Sequence, residues 1–188
     1  NELLASDKAY RAKVILGIAT ETQDPEGKVV ATDPGRKFSA AELEKVFDQF
    51  RGGYEQYVSP FSSIKVGGKK LRKVLRDPNY SYQILSGEQG RSIVLTPKNE
   101  TGQSLEIAIP KRKINILELK LEQQGPVASA DLPFKDLEVD KRYFFADIFV
   151  LCSKGTYIRQ LAEDLGEKLA IPGSLAELQR VELGPWKL

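Results

Sequence analysis

Histidine and methionine are absent from this 188-residue chain, and cysteine and tryptophan occur once each. Without histidine, and with a single thiol, the chain cannot hold within itself a Ser-His-Asp or Cys-His nucleophilic centre, a His- or Cys-rich zinc site, or a disulfide framework. Chemistry here has to rest on carboxylate, Tyr, Lys or Arg. No apolar run approaches the roughly 18 residues of a membrane span, and no signal-peptide pattern precedes Lys8, so a cytoplasmic protein with no membrane partner is expected. Neither sign of charge dominates, since 28 Lys and Arg face 26 Asp and Glu and leave +2. No global field therefore draws the whole molecule to nucleic acid, and any basic surface must be local. A chain that lacks methionine and starts at Asn1 is expected to be a piece of a longer product. Its length still suffices for one domain or two small lobes, burying roughly 70% of the unfolded surface.

Among the features present, CSKGTYIRQLAEDLG (152–166) places a cation where a helix begins. Thr156 is the expected N-cap, and Ile158, Leu161, Ala162, Leu165 and Leu169 recur at the spacing of one apolar face. Arg159 lies off that stripe, in a first turn whose unpaired N–H groups and aligned dipoles already carry partial positive charge. It needs an anion. An ordinary surface carboxylate meets that need as simply as a bound ligand does. The preceding run RYFFADIFVLC (142–152) reads as a strand, which puts Arg159 at a strand-to-helix junction.

Elsewhere KAYRAKVILGIAT (8–20) alternates as one half-buried strand, with Tyr10, Ala12, Val14, Leu16 and Ile18 on a common side. DPEG (24–27) is a turn and KVVAT the return arm of a hairpin. SAAELEKVFDQF (39–50) carries a capping box, Ser39 with Glu42, ahead of Leu43, Val46, Phe47 and Phe50 on one helical face. Six of the twelve residues from Lys65 to Arg76 are cationic. The glycines beside these lysines point to a mobile loop able to close on phosphates, the alternative being a solvated helical face. In 77–110, SIVLT and LEIAI read as short strands of an inserted element, separated by the turn segments DPNYSYQ, SGEQG and PKNETGQ. KINILELKL (113–121) is a further strand, followed by QQGPVASADLPFKD as an aperiodic loop. The class this predicts is α+β, a mostly antiparallel mixed sheet with flanking helices. Cys152 is expected to be a small apolar strand residue and not a nucleophile.

Four stretches, taken in order, resemble the TruB family of bacterial-type RNA pseudouridine synthases, which modify the T-loop uridine of tRNA. DKAYRAKVILGIATETQDPEG is similar to the family's Tyr-containing strand and Leu-Gly-x-x-Thr-x-Thr-x-Asp-x-x-Gly motif, matched by Leu16, Gly17, Thr20, Thr22, Asp24 and Gly27. FRGGYEQYVSPFSSIKVGGKKL resembles its thumb-loop region, CSKGTYIRQLAEDLGEKL its most specific segment, and GSLAELQRVELG its closing stretch. The resemblance covers roughly 1–76 and 111–184. It implies a partial pseudouridine synthase catalytic domain over 1–188, with a basic thumb-like loop about 55–76 and an inserted strand-rich element about 77–110. It further implies that Arg159 pairs with the catalytic aspartate, keeping that carboxylate ionised, and that Tyr10 stacks on a base flipped out of its helix and assists proton removal. Tyr157 and Leu178 would line the same pocket. Lys65, Lys69 and Lys70 would contact phosphates of the tRNA T-arm. No metal, no cofactor and no obligate protein partner are implied.

The family's catalytic aspartate stands in a Gly-x-Leu-Asp-Pro motif, and these 188 residues contain none. Neither Asp7 nor Asp24 occupies such a motif, so the chain by itself is expected to be inactive. Val58, Ser63, and Arg72 with Leu75 and Arg76, also depart from the thumb pattern. The principal alternative is a catalytically inactive RNA-binding or RNA-folding module that keeps the fold, and a plain α+β interaction domain ranks behind it.

Overall fold

Alternating polarity over Lys8–Leu16 builds β1, whose Ala12, Val14 and Leu16 enter one core while Ile15 enters another on the opposite face. The computed structural model describes residues 7–61, 65–66, 69–87, 90–99 and 102–181. These fall into two compact units, one formed by 1–56 with 113–188 and the other by 57–112. The α+β class with mostly antiparallel sheets is what the structure shows.

In the first unit, β1 is joined to β2 (Ile18–Thr20), which pairs with β3 (Val29–Thr32), the hairpin read from the sequence. The expected single strand over 8–20 is broken at Gly17, where φ is +105° and a Cβ would lie 2.6 Å from the Asp33 carbonyl oxygen. That kink moves Ile18 away from Tyr10, Ala12, Val14 and Leu16 and into the core around Ile15. The first helix, α1 (Ala40–Phe47), has the expected capping box: the Ser39 Oγ accepts from the Glu42 amide, and the Glu42 carboxylate accepts from the Ser39 amide. Its Leu43, Val46 and Phe47 are buried, and each large apolar side chain of this kind contributes about 1.5–3 kcal/mol.

Strand β4 (Gly52–Tyr57) lies at one edge of a five-stranded sheet in the order β12-β1-β11-β10-β4, where β10 is Lys111–Ala128, β11 is Arg142–Cys152 and β12 is Gly173–Val181. Strand β1 runs antiparallel to β11 and β12, and β11 antiparallel to β10. Strand β11 matches the run read from the sequence, but β10 does not stop at Leu121. It continues through QQGPVA, in place of the expected loop, because the long β11 offers ladder partners as far as Arg142 opposite Ala128. Pro126 stands within this stretch, opposite Phe144 of β11. Helix α3 (Ile158–Lys168; the intervening α2, Leu71–Leu75, belongs to the second unit) covers the sheet face that carries Ala12 and Val14, with Ile158, Leu161, Ala162 and Leu165 buried.

The second unit holds β5 (Lys65–Val66) paired with β6 (Lys69–Lys70), then α2 (Leu71–Leu75), then a three-stranded sheet in the order β7 (Tyr80–Gly87), β8 (Gly90–Pro97), β9 (Leu105–Ala108). The described part of the basic segment is therefore a short hairpin and a helical turn, not a loop. Leu71 and Leu75 pin that turn to a core made with Ile93, Leu95 and Ile109. Residues 80–83 and 86–87, expected within the turn segments DPNYSYQ and SGEQG, are strand because every residue of 80–87 finds a partner across to β8. The thumb-motif residues Ser62 and Ser63, the glycines Gly67 and Gly68, and the closing Glu182 to Gly184 lie outside the described residues. Among the described residues no helix is long and apolar enough to cross a membrane.

Candidate active site

The loop between β2 and β3 is built to hold one carboxylate. The Thr20 hydroxyl donates to the Asp24 carbonyl at 2.7 Å, and the Thr22 hydroxyl donates to Asp24 Oδ1 at 2.6 Å. The Glu26 amide donates to the same oxygen at 3.0 Å. A Cβ on Gly27 would sit 2.5 Å from the Thr22 hydroxyl, so only glycine closes the turn. The threonines, the aspartate and the glycine of TETQDPEG are thus explained by a single task, the presentation of Asp24. Its side chain is 6% exposed, and Arg159 Nε lies 2.6 Å from its Oδ2. The contact is an ion pair without the alignment of a hydrogen bond. The anion demanded by a cation in the first turn of α3 is therefore Asp24, which the motif contained and the sequence reading gave no role.

The start of α3 differs from the expected one. Tyr157, not Thr156, is the N-cap, and it has no side-chain cap; the Thr156 hydroxyl turns back to donate to the Ser153 carbonyl at 2.9 Å. The side chain of Gln56, on β4, takes the capping place. Its Oε1 accepts from the Tyr157 amide at 2.9 Å, and its Nε2 donates to the Tyr157 carbonyl at 3.1 Å and to the Tyr54 hydroxyl at 2.8 Å. Tyr54 in turn donates to Asp164 Oδ2 at 3.4 Å. Burial first, and the Asp164 charge second, push the Tyr54 hydroxyl above the usual phenol range, so it stays a proton donor. Gln160, 1% exposed, donates to Asp164 at 2.8 Å and to Glu163 at 2.9 Å, and it accepts from Gln23 at 2.7 Å. Gln23 also donates to Glu163. Nothing in the pattern of charge or periodicity singled out Gln23, Tyr54, Gln56 or Gln160, since each is an ordinary residue until a distant segment reaches it.

Tyr10 and Leu178 come to one face of the sheet. Tyr10 stands opposite Arg180, and Ala12 stands opposite Leu178 in the β1–β12 ladder. Tyr10 packs against the edge of the core beneath α3, whereas Leu178 is 47% exposed. Burial, with the Cys152 sulfur second, raises the Tyr10 hydroxyl above its ordinary range against a smaller opposing effect of Arg180, so it is neutral at physiological pH. Tyr157 is half-buried at the head of α3, which packs on β12 and β1. Cys152 is fully buried, and burial pushes its thiol up, as befits an unreactive strand residue. Lys65 is exposed and Lys70 half-buried on the β5–β6 hairpin of the other unit, while Lys69 is described only as far as its backbone. Among the described residues no group of three or more carboxylates or thiols is arranged to hold a metal ion.

Residues 1–82 match the model of the TruB family pseudouridylate synthase (N terminal domain). The tRNA pseudouridine synthase B of Geobacillus kaustophilus (strain HTA426) is 32% identical over 192 residues, covering 99% of this chain and 53% of that protein. The tRNA pseudouridine synthase B of Francisella tularensis subsp. novicida (strain U112) is 34% identical over 187 residues, covering 99% and 48%. The chain thus spans about half the length of the curated relatives it matches. A chain from a crystal structure of a Cbf5-Nop10-Gar1 complex overlays with a TM-score of 0.48 at 16% identity, covering 96% of this chain and 31% of that one.

Proposed function

The chain belongs to the TruB family of pseudouridylate synthases, and from that premise we propose that it supplies the base-holding and cation-bearing part of a tRNA pseudouridine synthase acting on a T-arm uridine. The observation that carries this reading is the Asp24–Arg159 ion pair at the head of α3. Asp24 meets the guanidinium at Nε. Among the described residues no other carboxylate pairs with Arg159, whose side chain is 42% exposed. The remaining edge of that rigid fork is suited to a second carboxylate, the nucleophile that the family carries in Gly-x-Leu-Asp-Pro.

In this mechanism the target uridine leaves its stack and lies against Tyr10, with Tyr157 and Leu178 as the other walls. The nucleophilic carboxylate, oriented by Arg159, attacks the base or its ribose. The glycosidic C–N bond breaks, the base turns, and a C–C bond forms as the bond to the carboxylate is released, after which the proton on that carbon departs with help from Tyr10 and the freed ring nitrogen takes up a proton. The product is an isomer of the substrate, so no redox partner, group donor or cofactor is consumed. Lys65, Lys69 and Lys70 hold T-arm phosphates. They belong to a unit, residues 57–112, that has ten Lys and Arg against four Asp and Glu, a net +6 within a chain of net +2. The setting is the cytoplasm, where its RNA substrate is found.

The absence of Gly-x-Leu-Asp-Pro from these residues favours one second reading, an RNA-binding module without chemistry. Pseudouridine formation on a T-arm hairpin separates the two. The 188 residues alone should give none, while a protein carrying them together with the family's Gly-x-Leu-Asp-Pro segment should convert the hairpin and lose that conversion when Arg159 is replaced by Ala. Conversion by the chain alone would overturn the assignment of the nucleophile. A complete protein that binds the hairpin without converting it would establish the second reading.

A further inference from the structure

Gln56 is 1% exposed and spends its whole amide on two tyrosines, the Tyr157 peptide on both its N–H and C=O sides and the Tyr54 hydroxyl. The chain that enters α3 needs such a hold. It passes Gly155 at φ +87°, a conformation open to few residues, and Tyr157 has no cap of its own. Pairing one amide side chain with both backbone groups of one residue reproduces a rung of a β-ladder and fixes the direction in which the helix starts. From Gln56 the hydrogen bonds continue through Tyr54, Asp164 and Gln160 to Gln23, the neighbour of Asp24. Asp24 closes the ring onto Arg159. Both groups that bear on the substrate, Tyr157 and Arg159, are thus held from the β4 side and from the loop side at once.

We infer that Gln56 is a positioning residue for the proposed isomerisation: its amide sets the Tyr157 peptide and thereby the aim of Tyr157 and Arg159 into the base pocket. This rests on the pseudouridine synthase reading given above. Only a side chain with a donor and an acceptor on one planar end, and an arm of this length, performs the task. An ionised carboxylate lacks the donor, and leucine lacks both.

The test uses the full-length native protein and a T-arm hairpin, with kcat and hairpin affinity measured separately for wild type, Gln56→Leu and Gln56→Glu. Gln56→Leu should lower kcat by about tenfold or more while changing the hairpin Kd by less than about twofold. Gln56→Glu should be impaired at about pH 8.5 and recover relative to wild type towards about pH 6, because burial at this 1% exposed position raises the new carboxyl, and its protonation restores a donor beside its acceptor. Tyr54, which accepts from this side chain, and Asp164 beyond it are common to both proteins. Should Gln56→Leu fail to fold, the pH ratio of Gln56→Glu decides. A folded Gln56→Leu with kcat within about twofold of wild type, or a Gln56→Glu ratio flat with pH, overturns the role. A wild type that makes no pseudouridine overturns the function as well, so the two failures are distinguishable.

Discussion

Arg159 Nε lies 2.6 Å from Asp24 Oδ2, and the two partners differ in burial: the arginine side chain is 42% exposed and the aspartate 6%. The pair ties the first turn of α3 to the loop between β2 and β3, two segments 135 positions apart in sequence. The asymmetry fixes what each deletion should do.

Arg159→Ala leaves a buried carboxylate without its cation and should destabilise the chain by about 1–3 kcal/mol, with water access from the exposed side limiting the loss. Asp24→Asn leaves a half-exposed guanidinium that water can solvate, so its cost should be smaller. Urea unfolding of both single variants and the double variant measures the coupling, expected at about 0.5–3 kcal/mol. Additive single effects would show that the pair does not hold the loop to the helix.

Gly166→Ala sets two effects against each other. Alanine favours an exposed helix interior by about 1 kcal/mol. Here, however, the new Cβ would lie 2.6 Å from the Ile171 carbonyl oxygen and 2.7 Å from the Gly173 amide nitrogen, both backbone atoms. Overpacking of this kind costs about 1–3 kcal/mol, so a net loss is expected. A Tm equal to or above that of wild type would mean that β12 shifts away from α3 at little cost.

Asp147 is raised above its ordinary 3.8, first by burial, then by Glu177 and Glu122, with Lys13 at 3.8 Å opposing. The folded state therefore holds this proton more tightly than the unfolded chain does. The destabilising contribution is absent below the unfolded value, grows as pH rises past it, and is complete above the folded one. Asp147→Asn should gain Tm over wild type at pH 7 and lose that advantage near pH 3, as thermal scans at the two pH values would show. An advantage that grows on acidification would contradict the sign of the shift.

Lys65→Glu with Lys70→Glu should weaken hairpin binding most at low salt and flatten the dependence of log K on log salt by roughly 1.5–2, the loss of two phosphate contacts. Titrations at several salt concentrations measure the slope. An unchanged slope would place the RNA contacts elsewhere.

Much of the fold was legible in order along the chain. The capping box at Ser39, the turn at Asp24 to Gly27 and the strand over 142–152 depend on neighbours a few residues away, and the structure has all three. The need of Arg159 for an anion was legible too, because a cation in a helical first turn is an electrostatic demand, and Asp24 meets it. The errors fell where a distant partner overrides local preference. QQGPVA has no periodicity of its own and becomes strand because β11 runs beside it, and the turn-rich run 80–87 becomes strand because β8 does the same.

By itself the sequence determined the polar alternation of β1, the amphipathic face of α3, the exclusion of histidine and disulfide chemistry, and the need for an anion near Arg159. These follow from residue types and short spacings. Only the tertiary structure decided that the anion is Asp24, that Gln56 caps α3 in place of Thr156, and that Gln160 links Asp164 to Gln23. Each joins segments far apart in sequence, and a hydrogen bond or ion pair exists only when packing of the sheet against the helix brings donor and acceptor within about 3 Å.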